Sequence, residues 1–266
     1  MRKTAVIIPC YNEAGRLDLK AFIAGAAKCP ALHFIFVNDG STDSTASKLE
    51  TLHRQNPAQM HAMSLEKNSG KAEAVRQGVL KALDGDYSNI GYWDADLATP
   101  LDEIPVFCEI LDSADVTVVA GSRVRLLGRA IERRPLRHFL GRIFATFASL
   151  ILEIPVYDTQ CGAKIFKRTG SLKDAFSAPF RVKWTFDVEL LARLAILERA
   201  AGNLKPEERW VERPLDRWTD VQGSKIKSFD FIKGGVELLK LFSFLHLPVV
   251  KERYRAALTK GKGPRC

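Results

Sequence analysis

The chain has 266 residues, enough for one large α/β domain with a full hydrophobic core, alone or with an appendage. Lys and Arg total 40 against 31 Asp and Glu, and the net charge of +9 favours polyanions, nucleotides or an anionic membrane as partners. Five scattered cysteines form no Cys-x-x-Cys pair, which argues against a disulfide framework or a zinc cluster and indicates reduced thiols in a cytoplasm.

Strand-like and helix-like stretches alternate through the first half of the chain. Short runs rich in Val, Ile and aromatic residues predict strands at 5–9, 34–37, 90–93 and 116–120. Apolar residues at helical spacing predict helices around 17–28, 44–55 and 71–83. This alternation predicts an α/β fold with a mainly parallel central sheet and helices on both faces. Ligands bind such sheets beyond the carboxyl ends of the strands.

The apolar runs are all short. Basic residues precede the first of them, at 5–9, but this run is too short for a signal peptide, and we interpret it as a strand. The runs at 143–152 and 241–250 fall well below the roughly 20 residues that cross a bilayer. We therefore expect a protein that can lie on a membrane without a transmembrane span.

Polar residues follow the predicted strands. Tyr11 offers an aromatic face, and the carboxylate of Asp39 is suited to accept hydrogen bonds from a nucleobase. Asp43 or Ser44 is suited to cap the helix that follows. Lys71 and the amides at the start of the next helix would attract phosphate, although an N-cap beside a solvated lysine explains the same pattern equally well.

The strand predicted at 90–93 leads directly into two carboxylates, Asp94 and Asp96. Side chains at i and i+2 of an extended backbone point to the same side, so these two can converge. Mg²⁺ and Mn²⁺ favour one or two carboxylates together with substrate phosphates. Taken alone, an Asp-x-Asp pair is better explained as a solvated turn, and only companion motifs reverse that preference.

Four motifs in this order resemble the signature of the family 2 glycosyltransferases with the GT-A fold; they lie at residues 6–13, 37–43, 68–71 and 94–96. Later segments resemble the polyprenyl-phosphate branch of that family; they lie at 121–123, 158–166, 184–191 and 223–225. Within the branch, the pattern is closer to dolichyl-phosphate β-glucosyltransferases than to dolichol-phosphate mannosyltransferases. We predict a GT-A domain over 1–227, followed by a C-terminal amphipathic helix and basic tail over 228–266.

The resemblance implies an inverting, metal-dependent hexosyltransferase that uses Mg²⁺ or Mn²⁺. Its expected reaction moves glucose from UDP-glucose, a nucleotide-sugar donor, onto a polyprenyl or dolichyl phosphate. A GDP-mannose donor and a saccharide hydroxyl acceptor are the alternatives, and a non-catalytic nucleotide-binding scaffold is an alternative from another class. We expect a cytoplasmic protein associated peripherally with the membrane surface, with no nucleic-acid partner and with homo-oligomers as an option.

The resemblance also assigns roles residue by residue. The expected donor-binding residues are Pro9, Tyr11, Glu13, Val37, Asp39, Lys71, Ala95, Arg217 and Lys225. Asp94 and Asp96 are expected to hold the metal on the donor diphosphate, and Arg123 to contact phosphate as a catalytic residue. Arg217 is the weakest match, because its spacing to Lys225 is longer than in the mannosyltransferase pattern.

A basic segment at 123–142 precedes an apolar run, a pattern suited to gripping a lipid phosphate above a membrane. The expected acceptor-phosphate residues are Arg123, Arg133, Arg134 and Arg137. A core helix with a solvated basic end is the simpler interpretation. Residues 229–247 predict a second surface helix, for a membrane or a dimer contact. The resemblance to other branches of the superfamily implies a catalytic role for Asp187 or Glu189 as base toward a hydroxyl acceptor. With a phosphate acceptor, either residue would instead position the sugar or an arginine, and helix capping competes as the role of Asp187.

Overall fold

The structure is a computed structural model that describes residues 1–113, 115–132, 135–202, 205–220 and 228–259. Within these ranges, the side chains of 135–138, 228–232, 249 and 259 are not described. The chain divides into two compact units. The first unit comprises Met1–Ala120 with Gly162–Arg168, and the second comprises Gly121–Cys161 with Thr169–Cys266.

The secondary structure alternates as the sequence predicts over the first half of the chain. The strands are β1 Thr4–Cys10, β2 Leu32–Asn38, β3 Met60–Ser64, β4 Asn89–Trp93, β5 Val118–Ser122, β6 Ala130–Glu132, β7 Ala163–Lys167, β8 Trp210–Pro214 and β9 Arg217–Thr219. The helices are α1 Leu19–Lys28, α2 Thr45–Gln55, α3 Lys71–Leu83, α4 Glu103–Ser113, α5 Pro135–Leu152, α6 Gly170–Ser177, α7 Phe186–Ala200, α8 Pro206–Arg209, α9 Ser228–His246 and α10 Pro248–Thr259.

The sheet of the first unit has the strand order β3-β2-β1-β4-β7-β5. Strands β1 to β4 pair in parallel, whereas β7 runs antiparallel to both β4 and β5. The prediction of an α/β fold with a mainly parallel sheet is confirmed. β1 is buried along almost its whole length, as expected of a central parallel strand.

Close packing of a helix on this sheet depends on a glycine. A Cβ atom at Gly78 of α3 would lie 2.5 Å from Cγ2 of Ile7 on β1. The missing side chain therefore lets α3 approach β1 directly. This contact matters for the site, because α3 begins at Lys71, at the carboxyl edge of the same strands.

The second unit is mainly helical, and its core includes Phe144 of α5, Leu191 of α7 and Leu238 of α9. A fully buried ion pair stabilises α7, with Nη2 of Arg193 2.7 Å from Oε1 of Glu189. The hydroxyl of Tyr254 donates to the same Glu189 oxygen over 3.3 Å and fastens α10 to α7. Strands β6 and β9 pair in parallel.

The two C-terminal helices cover most of the segment predicted as an appendage, and residues 260–266 of its basic tail lie outside the described residues. In α9, Leu238 and Leu241 are buried, whereas Val236 and Leu239 are exposed. The boundary at residue 227 and the surface role of this segment stay predictions. Among the helices that the structure describes, none is both long enough and apolar enough to cross a bilayer.

Candidate active site

The carboxyl ends of three neighbouring strands, β2, β1 and β4, bring predicted donor-side residues of the first unit to one edge of the sheet. Pro9 is the register partner of Val37 on these parallel strands. The amide of Asp39 donates to the carbonyl oxygen of Cys10 over 2.8 Å, and Asp94 directly follows β4. The edge therefore carries residues from three of the four motifs, those at 6–13, 37–43 and 94–96.

Asp39 fastens the start of α3. Its two carboxylate oxygens accept hydrogen bonds from the amides of Ser69 and Gly70 at 2.7 and 2.8 Å. Gly40 next to it has φ +62°, and a Cβ atom there would lie 2.5 Å from the Asn68 nitrogen, so only glycine fits this approach. Sequence reasoning assigned Asp39 to a nucleobase and did not predict this anchoring role.

Lys71, the first residue of α3, lies beside the carboxylate pair. Its Nζ lies 2.5 Å from Oδ1 of Asp94, so Lys71 is ion-paired rather than simply solvated. The N-cap residue of α3, Gly70, supplies no side-chain cap. Asp39, Lys71 and Asp94 thus form a continuous chain of contacts across the sheet edge.

The carboxylate pair lies in a turn and not on an extended strand, because β4 ends at Trp93. The amide of Leu97, whose φ is +54°, donates to the carbonyl oxygen of Asp94, and the amide of Ala98 donates to Oδ1 of Asp96 over 3.1 Å. The extended-backbone argument is therefore wrong in detail. The turn, and not strand alternation, sets the positions of the two carboxylates.

Burial and the neighbouring carboxylate both disfavour the charged form of Asp96. Burial raises the pKa of Asp96 above its usual range, and the negative charge of Asp94 raises it further. Arg16, which sequence reasoning missed, partly offsets this charge: burial alone would lower its pKa, but Glu13, Asp96 and Asp94 together raise it. Arg16 also pairs with both carboxylate oxygens of Glu13, at 2.9 and 2.6 Å. In the sequence, the spacing of three residues between Glu13 and Arg16 is the feature that could have indicated this ion pair.

Gly162 makes room for the Asp94 carboxylate. Its carbonyl oxygen accepts a hydrogen bond from the Asp94 amide over 2.9 Å. A Cβ atom at position 162 would lie 1.9 Å from Oδ2 of Asp94, closer than any real contact. The 158–166 segment, which resembles the polyprenyl-phosphate branch, therefore includes a direct neighbour of the carboxylate pair.

The donor set suits a cation that is shared with a substrate. Within the described ranges, no group of three or more His, Cys, Asp and Glu side chains is placed to hold a metal ion. Mg²⁺ and Mn²⁺ commonly take one or two carboxylates and complete their shell with water and phosphate oxygens. Asp94 and Asp96, on either side of buried Ala95, match that kind of site and not a complete protein cage.

In the second unit, Arg123 is held by two partners. Its Nε and Nη2 lie 2.6 and 2.7 Å from the two carboxylate oxygens of Asp158, and its guanidinium lies 5.4 Å from the ring centre of Trp218. Glu212 holds Asp158 in turn, since it accepts the amides of Tyr157 and Asp158 at 2.7 and 2.5 Å. Burial raises the pKa of Glu212. Sequence reasoning did not predict the roles of Asp158 and Glu212.

The other predicted residues of this unit occupy different elements. Asp187 is buried in the first turn of α7, whose N-cap is Thr185, so Asp187 is not the helix cap. Glu189 is fully buried against Arg193. Arg217 begins β9 and is exposed.

Four of the predicted phosphate-binding and donor-binding residues remain. Arg133, Arg134 and Lys225 lie outside the described residues. Arg137 lies in α5, but its side chain is not described. Their assignments to acceptor phosphate and donor stay predictions.

Comparison with solved structures identifies the architecture. Glucosyl-3-phosphoglycerate synthase from Mycobacterium tuberculosis, in complex with Mn²⁺ and UDP-glucose, matches with a TM-score of 0.62 at 15% sequence identity. The match covers 91% of this chain and 78% of that one. The fold is that of the GT-A glycosyltransferases.

Sequence comparison gives the family. The model of glycosyl transferase family 2 matches residues 5–173, and the chain belongs to this family of glycosyltransferases. Dolichyl-phosphate beta-glucosyltransferase of Drosophila melanogaster is 34% identical over 85% of this chain and 69% of that protein. Polyprenol monophosphomannose synthase of Mycolicibacterium smegmatis is 29% identical over 72% of each chain.

Proposed function

We propose that this glycosyltransferase moves glucose from UDP-glucose onto a polyprenyl or dolichyl phosphate, with inversion at the sugar carbon, at the cytoplasmic face of a membrane. The observation that carries the proposal is the carboxylate pair Asp94 and Asp96, linked to Lys71 and Arg16 at the strand edge. The name of the Drosophila melanogaster relative supports glucose and a dolichyl phosphate.

The donor would be held by the first unit. Pro9, Tyr11, Val37 and Asp39 would bind the nucleoside at the ends of β1 and β2. Asp94 and Asp96 would hold Mg²⁺ or Mn²⁺, which would neutralise charge on the departing diphosphate. Lys71 and Arg16 add two positive charges beside the carboxylates, where a diphosphate accumulates negative charge as the sugar leaves.

The acceptor would need no protein base. The second pKa of a phosphate monoester lies near about 6, so at neutral pH the acceptor is largely dianionic and its oxygen can attack directly. One phosphate oxygen bonds to the sugar carbon while the bond from that carbon to the diphosphate breaks, and the nucleoside diphosphate leaves. Orientation by positive charge is then the main requirement, and Arg123, fixed by Asp158, would supply it.

Membrane docking is the further part of the proposal. The α5 stripe consists of exposed apolar residues at spacings of four, four and three: Phe139, Ile143, Phe147 and Leu150. The α9 stripe consists of exposed Val236, Leu239 and Phe242. Exposed Lys233 and Lys240 flank the α9 stripe, and the net charge of +9 favours an anionic lipid surface as its occupant.

Purified protein tests the reaction directly. With Mn²⁺ or Mg²⁺, a polyprenyl phosphate and a panel of nucleotide sugars, we expect a glycosylated lipid phosphate that is lost on adding a chelator. Failure with every donor, together with transfer to a soluble saccharide hydroxyl, would show that the acceptor assignment is wrong. In that case Asp187→Asn should cost a large part of the rate, since a hydroxyl acceptor needs a base.

GDP-mannose is the second candidate donor, and the name of the Mycolicibacterium smegmatis relative supports it. Thermal stability in Mn²⁺ with UDP, GDP and their sugars would separate the two. A ligand at about 100 times its Kd should stabilise the protein by roughly 2.7 kcal/mol, and the other nucleotide should have little effect. Nucleotide-sugar binding that chelation does not alter, without turnover, would instead favour a non-catalytic scaffold.

A further inference from the structure

The helix α9 holds the chain just before α7 through a single carboxylate. Glu237 accepts the amides of Lys183, Trp184 and Thr185 at 3.2, 3.0 and 2.8 Å, and the hydroxyl of Thr185 at 3.0 Å. Amides at a helix N-terminus lack partners within the helix, so an acceptor supplied by another element defines their position. The carboxylate charge also interacts favourably with the positive end of the α7 dipole.

A second contact fixes the same segment. Gly234 lies three residues before Glu237, on the same face of α9. A Cβ atom at Gly234 would lie 2.4 Å from Cζ3 of Trp184, so the indole fills the space that any side chain would need. A glycine inside a helix is less favourable than alanine, and here it permits this close packing. The Trp184 ring also meets Phe144 of α5 edge-on, with ring centres 5.5 Å apart.

The segment held in this way leads directly into Asp187. Thr185 is the N-cap of α7 but makes no side-chain cap bond within that helix, since its hydroxyl donates to Glu237. Asp187 follows two residues later and is buried. The place of the first turn of α7 is therefore set from outside, by α9.

We infer that Glu237 is a positioning residue that sets the acceptor-side turn of α7, including Asp187. The inference rests on the proposed function and on the sequence-based assignment of Asp187, which with a phosphate acceptor would position the sugar or an arginine. The helix α9 would then affect catalysis through the face that carries Gly234 and Glu237. Its exposed stripe lies on a different face, so a docking role is compatible with this one.

Steady-state kinetics of the full chain test this inference. Glu237→Gln keeps the volume but replaces one acceptor oxygen with a donor. In the place of Oε1 this donor would oppose the amide of Lys183, and in the place of Oε2 it would oppose those of Trp184 and Thr185. We expect kcat/KM for polyprenyl phosphate to fall roughly tenfold, with a raised acceptor KM, while the donor KM stays within about twofold of wild type. A stability effect alone would lower the active fraction and leave both KM values unchanged, and that result would overturn the inference.

Two further variants keep the test decisive if Glu237→Gln folds poorly. Thr185→Val removes only the hydroxyl bond to Glu237 and should raise the acceptor KM in the same direction by less. His246→Ala is the matched control: its Nε2 lies 2.8 Å from the carbonyl oxygen of Ile151, at the other end of α9. It should lower thermal stability without moving the acceptor KM. If wild type itself does not use polyprenyl phosphate, the proposed function fails instead.

Discussion

The two carboxylates of the turn, Asp94 and Asp96, lower the stability of the folded protein but are suited to bind a cation. The folded state raises the pKa of Asp96, chiefly by burial and then by the charge of Asp94. Folding therefore favours the protonated carboxyl, and stability falls as the pH rises from the usual pKa through the raised one. Above the raised pKa the full cost is present, and a bound cation would relieve it.

Neutralising one carboxylate should separate these two effects. Asp96→Asn keeps an oxygen for the Ala98 amide but removes the buried charge. We expect a higher melting temperature without metal and a loss of turnover of roughly 10²-fold or more. Calorimetry with EDTA would measure the melting temperature, and a transfer assay would measure turnover. A lower melting temperature would contradict the argument that the charge of Asp96 destabilises the folded protein.

The same pKa direction predicts pH dependence for metal binding. A ligating carboxylate must be deprotonated, so Mn²⁺ affinity should fall as the pH is lowered. Because the pKa of Asp96 is raised, this fall should begin at a higher pH than for an aspartate with its usual pKa. Titration calorimetry in buffers of different ionisation enthalpy should also reveal released protons. An affinity that stays constant down to the usual pKa of aspartate would refute the prediction.

Gly162→Ala tests the space beside Asp94. The added methyl group would displace the carboxylate, and a shift of about 1 Å at a reacting site can cost roughly 10²-fold in rate. We expect weaker Mn²⁺ binding and a comparable loss of kcat/KM. Gly170→Ala is the matched control, since nothing lies within 4 Å of a Cβ atom there. Equal activity of the two variants would show that the Gly162 contact is unimportant.

At the scale of elements, the buried ion pair of α7 should dominate the stability of the second unit. Both side chains of Glu189 and Arg193 are fully buried, and Arg193 also donates to the carbonyl oxygens of Ala175, Ala178 and Pro179. Removing one partner leaves the other charge uncompensated, at a cost of about 3–5 kcal/mol.

Denaturant unfolding would measure this cost with Glu189→Gln. Arg54→Ala, which removes an exposed pair with Glu50 on α2, is the control and should change the unfolding free energy by at most about 1 kcal/mol. Similar losses in both variants would mean that burial does not distinguish the pairs. A selective loss of Glu189→Gln activity at full stability would instead make Glu189 part of the chemistry.

Periodicity and strand-end motifs predicted β1, β2, β4 and β5, the first three helices and the residues around Asp94. They missed β3 and β7 for physical reasons. β3 is a strand of only five residues at the sheet edge with Met60 alone buried, and β7 includes a buried Lys164 that breaks an otherwise apolar pattern. Contacts between residues distant in sequence, such as Gly162 with Asp94 or Glu237 with Thr185, leave no local signal.

At the scale of the whole molecule, the α5 and α9 stripes predict binding to vesicles. Phe147→Asp should weaken binding to vesicles with anionic lipid by roughly tenfold or more, because an apolar contact is lost and a like charge is added. Gln55→Asp, an equal charge change at an exposed position of α2, is the control. Sedimentation with vesicles at two salt concentrations would measure both variants.

The opposite outcome is also informative. If wild type does not sediment with vesicles, but forms a dimer that Phe147→Asp disrupts, the stripes would be a contact between two copies of this chain. Light scattering at several protein concentrations would detect it. The homo-oligomer prediction would then replace membrane docking as the role of these helices.

The place of β7 has a consequence for biosynthesis. This strand lies between β4 and β5, yet it is encoded about 40 residues after β5 and after the whole of α5. A growing polypeptide must keep the facing edges of β4 and β5 apart and unpaired until Lys167 leaves the ribosome, and unpaired edges invite intermolecular pairing. A fragment that stops at Ser122 should therefore aggregate, and a chaperone would matter most between the emergence of β5 and that of β7.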